Sequence, residues 1–71
     1  MTPQEIWEAH CDEADWERYD FVDPPYCWAC AITLEVDGYS FTGDGDLVCG
    51  ERDSINELWC HTPDGKDIQI I

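Results

Sequence analysis

Carboxylates dominate the chemistry open to this chain. Glu5, Glu8, Asp12, Glu13, Asp15 and Asp20 fall within sixteen residues near the N-terminus. Placed on a helix at ~100° per residue, Ile6, Trp7, His10, Cys11 and Ala14 share an arc of about 140°. Glu5, Glu8, Asp12 and Asp15 then lie opposite that apolar arc, with Glu13 and Asp20 on its flank. Trp16 and Tyr19 point to the carboxylate side. From Glu5 to Asp20 such a helix rises ~22 Å. One DNA strand sets about six or seven phosphates in that length, at ~3.4 Å each. The chemistry on offer is imitation of a phosphate backbone. A merely solvated helix face ordinarily mixes signs to gain i,i+4 pairs, whereas Arg18 is the only cation before residue 52. Trp16 and Tyr19 read either as aromatic anchors of an interface or as rings packed under Pro24-Pro25-Tyr26. Asp44, Asp46, Glu51 and Asp53 make a second acidic cluster.

Cys27-Trp28-Ala29-Cys30 is half of a zinc site. The other half is missing: Cys49, Cys60, His61, His10 and Cys11 follow no ligand spacing. A small zinc-binding structural module using Cys27 and Cys30 is the alternative to an acidic decoy. A redox role needs a helix N-terminus after a βαβ strand, and this motif enters a strand. Asp44-Gly45-Asp46 is only a fragment of a calcium loop. No phosphate-binding glycine loop occurs, and no Ser/His/Asp or Cys/His arrangement is supported by spacing. The expectation is therefore no enzyme and no cofactor.

Seventeen acidic residues oppose three basic ones in 71, a net charge of −14. Residues 1–23 and 24–71 each carry a net −7. Self-repulsion on this scale works against a compact state, and a small domain has little hydrophobic stabilisation to set against it. Solubility alone needs a magnitude of only ~2–8. Disorder is disfavoured by four Trp, three Tyr and two Phe in a chain that is 44% hydrophobic. Basic proteins are the expected partners, and nucleic acid or an anionic membrane is not. The first residues show no secretory signal, so a reducing cytoplasm is expected. The five cysteines are an odd number, which rules out a complete intrachain disulfide set. The chain is read as one domain, 1–71, a monomer or a dimer.

These groups need elements to position them. Thr2-Pro3-Gln4-Glu5 fits a capping box with Pro at the first helical position, and Asp23-Pro24-Pro25 must end any helix. Asp37-Gly38 predicts a two-residue hairpin turn. Its register pairs Val36 with Tyr39, Leu34 with Phe41 and Ile32 with Gly43 on one face. Glu35 with Ser40 and Thr33 with Thr42 occupy the other. Gly43-Asp44-Gly45-Asp46 reads as a turn or bulge. Leu47-Val48-Cys49 is a short strand or a continuation, and 51–56 is a helical turn or a loop. Thr62-Pro63-Asp64-Gly65-Lys66 predicts a type I turn with a glycine bulge. That loop pairs Cys60 with Ile68 and Leu58 with Ile70, and on the opposite face His61 with Asp67 and Trp59 with Gln69. The fold class is α+β: one N-terminal helix on a small antiparallel sheet of three to four strands. The expected core is Ile6, Trp7, Ala14, Ile32, Leu34, Val36, Phe41, Leu47, Leu58, Cys60, Ile68 and Ile70.

In size, acidity and α+β outline the chain resembles the phage-encoded inhibitors that imitate DNA, anti-CRISPR proteins among them. The resemblance is one of class, carried by composition and the acidic segment, with no family motif. It implies a protein acting in the host cytoplasm that occupies the nucleic-acid channel of a defence complex. The partner would be a positively charged nucleic-acid-binding protein, with a Cas surface as the natural target. The expected partner-binding residues are Glu5, Glu8, Asp12, Glu13, Asp15, Trp16, Tyr19, Asp20, Asp44 and Asp46.

Overall fold

The computed structural model describes residues 2–18 and 27–71, with Cys27 described by its backbone alone. Helix α1 spans Pro3–His10 and is followed by a 3₁₀ turn, Cys11–Glu13. Five strands follow: β1 Asp15–Arg18, β2 Cys27–Val36, β3 Tyr39–Val48, β4 Glu51–His61 and β5 Asp67–Gln69. They form one antiparallel sheet in the order β1-β2-β3-β4-β5. The architecture is α+β as expected, with five strands rather than three to four. Among the described residues no helix is long and apolar enough to cross a membrane.

The helix starts where the capping box places it. The Thr2 hydroxyl accepts from the Glu5 N–H at 3.2 Å, and Glu5 Oε1 accepts from the Thr2 N–H at 3.1 Å. It ends far sooner than the apolar arc suggests. A helix continued to Asp20 would stack carboxylates at i,i+3 and i,i+4 spacing, which repel. It would also bring acids to the negative end of the helix dipole. The chain turns at Cys11–Glu13 instead, and a strand replaces the last part of the expected helix. Asp15, Trp16, Glu17 and Arg18 then alternate between the two sheet faces.

Both hairpin registers emerge as expected. Val36, Leu34 and Ile32 face Tyr39, Phe41 and Gly43. Cys60 faces Ile68, and His61 faces Asp67. Asp37 and Gly38 both have positive φ, 48° and 86°, the geometry of a type I′ turn. Gly65 N–H donates to Thr62 O at 3.0 Å, which closes the expected last loop. A third hairpin joins β3 to β4 through Cys49 and Gly50, with φ of 54° and 83°. The expected bulge is real, and β4 carries the extra residues. Asn56 is inserted opposite Asp44/Gly45, and Asp53 opposite Asp46/Leu47. Residues 51–56 are thus strand, not a helical turn or loop.

Ile6, Trp7, Ala14, Ile32, Leu34, Phe41, Leu58 and Cys60 form the core. Trp7 meets Phe41 with ring centroids 5.7 Å apart and planes tilted 43°. Cys30, absent from the expected core, is fully buried. Val36, Leu47 and Ile70 are only part-buried, and Ile68 is 39% exposed. Val36 and Leu47 stand at or next to the ends of β2 and β3, and Ile68 and Ile70 belong to the last edge of the sheet, so each has packing neighbours on fewer sides than the central positions.

Trp16 packs on the core rather than beside the carboxylates. Its ring lies over Gly45, and the Arg52 guanidinium sits 5.4 Å from its centroid. A Cβ on Gly45 would come within 2.7 Å of the ring. Gly45→Ala is therefore expected to destabilise the fold by about 1–3 kcal/mol through overpacking. Urea unfolding should show a lower midpoint at an unchanged slope. Thr2→Ala should lower the thermal midpoint at neutral pH, with the difference shrinking in acid. The Thr2 N–H, then its hydroxyl, holds the Glu5 carboxyl below its ordinary 4.5. A depressed folded pKa contributes stability above the ordinary value and loses it as pH falls through the folded value. A thermal series from pH 7 to pH 3 checks the direction.

Candidate functional site

Helix α1 covers one face of the sheet. The face turned away from it is built from the alternate residues of every strand. One row across it runs Asp15, Thr33, Thr42, Trp59, Gln69. A second runs Glu17, Ala31, Asp44, Glu57. A third runs Glu35, Ser40, His61, Asp67. A fourth, Ala29, Asp46 and Ser54, follows the second toward the β3–β4 turn. Seven carboxylates therefore share these rows: Asp15, Glu17, Glu35, Asp44, Asp46, Glu57 and Asp67, and Glu51, paired with Val48 beside the β3–β4 turn, follows at the end of the face. Six of the seven are exposed, and Asp46 is half-buried.

None of the three Lys and Arg residues sits among them. Arg18 lies on the helix-side face with its guanidinium 4.6 Å over the Trp28 ring. Arg52 donates to the carbonyls of Cys11, Asp12 and Ala14, the last at 2.7 Å. Lys66 is in the last loop, 3.8 Å from Asp64. The face is of one sign apart from His61. Asp46 Oδ2 accepts from Ser54 and Asn56 at 3.5 and 3.2 Å, so the bulge at Asn56 supplies one of its donors.

His61 ties three strands. Its Nε2 is 2.9 Å from Thr42 Oγ1, and its Nδ1 is 2.6 Å from Asp67 Oδ1. The connectivity Thr–His–Asp is that of a nucleophile relay, which spacing in the sequence did not bring together. Thr42 entered through the β3–β4 pairing. It lies in mid-sheet between Thr33 and Trp59, where strand N–H groups serve the ladders rather than a developing oxyanion. In the structure the two His61 contacts brace β3, β4 and β5 across the sheet.

Of the expected partner-binding residues, Asp15, Asp44 and Asp46 come together on the open face. Glu13 lies at its edge, lining a shallow depression with Asp15, Thr33, Glu35 and Thr42. It is also 2.6 Å from His10 Nδ1. Glu5 and Glu8 remain on the helix, Glu5 bound into its cap and Glu8 accepting from Gln4 at 3.4 Å. Asp12 is on the 3₁₀ turn. Trp16 is on the covered face, a correction to its expected place among the acids. The cause is the period-two backbone of β1. Tyr19 and Asp20 lie outside the described residues. Glu17, Glu35, Glu57, Asp67 and Trp59 were not expected at the site. Their signal was the polar side of the two hairpin registers, together with the alternation through 14–18.

The zinc alternative finds a poor setting at Cys30. Its thiol is buried and donates to Trp28 O at 3.7 Å. Among the described residues no three His, Cys, Asp or Glu are grouped to hold a metal. The Cys27 side chain lies outside them. Burial pushes the Cys60 thiol pKa up, which keeps it a neutral core group. No protein-family model, no curated protein and no solved structure matches this chain.

Proposed function

We propose that this chain is a polyanionic decoy, a DNA mimic of the kind that phage-encoded anti-CRISPR inhibitors represent. The observation that carries the reading is the open sheet face, with seven carboxylates in its rows and no Lys or Arg among the described residues. A net −14 on a body 42 Å long is about one charge per 3 Å, close to the ~3.4 Å of a DNA strand. The carboxylates stand on strands braced by a common core, so their spacing persists without a partner. Pre-set spacing lowers the ordering cost of binding.

The target is a positively charged nucleic-acid-binding protein of a host defence complex, with a Cas protein as the natural case. The mechanism is competitive occlusion. Carboxylates of the face take the phosphate positions against Lys and Arg of the target, and charge steering speeds encounter. Nucleic acid and anionic lipid are repelled by the same field.

The test is displacement of duplex DNA from defence complexes, with phage plating on hosts carrying each system as the biological readout. The chain should displace DNA at low salt and progressively less as salt rises. Asp15→Lys, Glu17→Lys and Glu35→Lys combined should weaken displacement by about 100-fold or more, at a cost of ~1 kcal/mol or more for each charge reversed. Glu8→Lys with Asp12→Lys, away from the face, should change it by less than about threefold. If the helix-side pair abolishes displacement and the sheet triple does not, the face is not the decoy.

A further inference from the structure

We infer that the open sheet face selects arginine over lysine on its partner, with Trp59 as the seat for a guanidinium. This rests on the decoy reading of the face and adds the side-chain chemistry of the partner.

The four tryptophans divide by what covers them. Trp7 packs on Phe41, and Trp28 and Trp16 carry the guanidinium groups of Arg18 and Arg52 at 4.6 and 5.4 Å. Trp59 is on the other side of the sheet, outside the residues packed on the core, and is partly exposed. Among the described residues no ring or guanidinium lies on it. It stands in the middle of the acidic face, between Thr42 and Gln69 across the strands, with Glu57 and His61 two residues away along β4.

Its polar handle is already committed. The indole Nε1–H donates to Glu57 Oε1 at 2.6 Å. That bond holds a carboxylate at the edge of the ring and leaves the ring face as what Trp59 can offer a partner. A flat aromatic surface beside a fixed carboxylate suits a planar cation. A guanidinium can stack on the ring while its N–H fork reaches the carboxylate. An ammonium group is a compact, strongly hydrated charge that gains less from the ring. The field of the seven carboxylates attracts either cation, so selection between them falls to the ring together with the Glu57 carboxylate fixed at its edge.

The experiment measures binding of fluorescein-labelled nona-arginine and nona-lysine peptides to the intact chain by anisotropy at ~0.15 M salt. The wild-type chain should favour the arginine peptide by about fivefold or more. Trp59→Leu should bring the two affinities together and leave the lysine affinity nearly unchanged. Circular dichroism checks that the variant folds. Should it not fold, Glu57→Gln, which keeps the ring and removes the carboxylate, decides instead, and it should also erase most of the preference. Equal wild-type affinities, or a preference that survives in the folded variants, overturn the inference. An arginine preference without DNA displacement from any defence complex would refute the decoy reading alone. Displacement without an arginine preference would refute this inference alone.

Discussion

One eight-residue helix cannot cover two faces of a sheet, and the rest of the molecule follows from that limit. Five strands at ~4.8 Å spacing extend about 19 Å between the outer pair, against ~12 Å of helix. The side chains that can be buried are drawn to a single face: Ile32, Leu34, Phe41, Leu58 and Cys60 from the sheet, Ile6 and Trp7 from the helix, and Ala14 from the link between them. An antiparallel sheet covered on one side leaves the other to water. In this chain, the residues available for that side are overwhelmingly acidic. The negative face is thus the geometric complement of a one-sided core, with its sign set by composition.

The cations reinforce the asymmetry. Arg52 reaches from β4 to the carbonyls of Cys11, Asp12 and Ala14, beyond the end of α1. Unpaired carbonyls gather at a helix C-terminus, where a cation is favoured. The inserted Asp53 shifts the β4 register just after Arg52, which pairs with Leu47 on the helix side of the sheet. The same guanidinium covers Trp16, and Trp16 covers Gly45. Arg18 rests on Trp28. Each of these contacts lies on the helix side of the sheet, where both arginines brace packed elements.

Much of this was legible in residue order, and the misreadings have physical causes. Asp37-Gly38 and Thr62–Lys66 set two registers, because a turn of known geometry leaves only one pairing that separates apolar from polar. Helix α1 was readable at its start, where Thr2, Pro3 and Glu5 act locally, and not at its end. Ala14 suits both a helical arc and an alternating strand, so periodicity alone could not decide the segment after it. What decided it was repulsion among carboxylates and tertiary pairing of β1 with β2, neither of which is a local signal. The Cys49-Gly50 turn was obscured because a cysteine at positive φ is uncommon. The acidic face itself needed the β3–β4 pairing, which joins Glu35 and Asp44 of the first hairpin to Glu57 and Asp67 of the second. Each hairpin alone shows only half of it.

Why such a face is held on a sheet rather than on a helix is a matter of bracing. A lone helix with acids along one side carries its repulsion within one element, and each pair works against the same local bonds. On the sheet, Asp44 and Glu57 sit ~4.8 Å apart across strands, and Asp15 with Glu17 and Asp44 with Asp46 stand ~6.8 Å apart along them. Their repulsion is opposed by ladders and by the core beneath, which belong to several elements at once. These spacings are shorter than the ~8 Å screening length at physiological salt, so Asp15 with Glu17, and Asp44 with Asp46 and Glu57, each act on an approaching cation as a joint field, while Asp67 stands apart beside His61. Individual substitutions on the face should matter less than its continuity, whereas Trp59, which works by contact, has no neighbour to substitute for it.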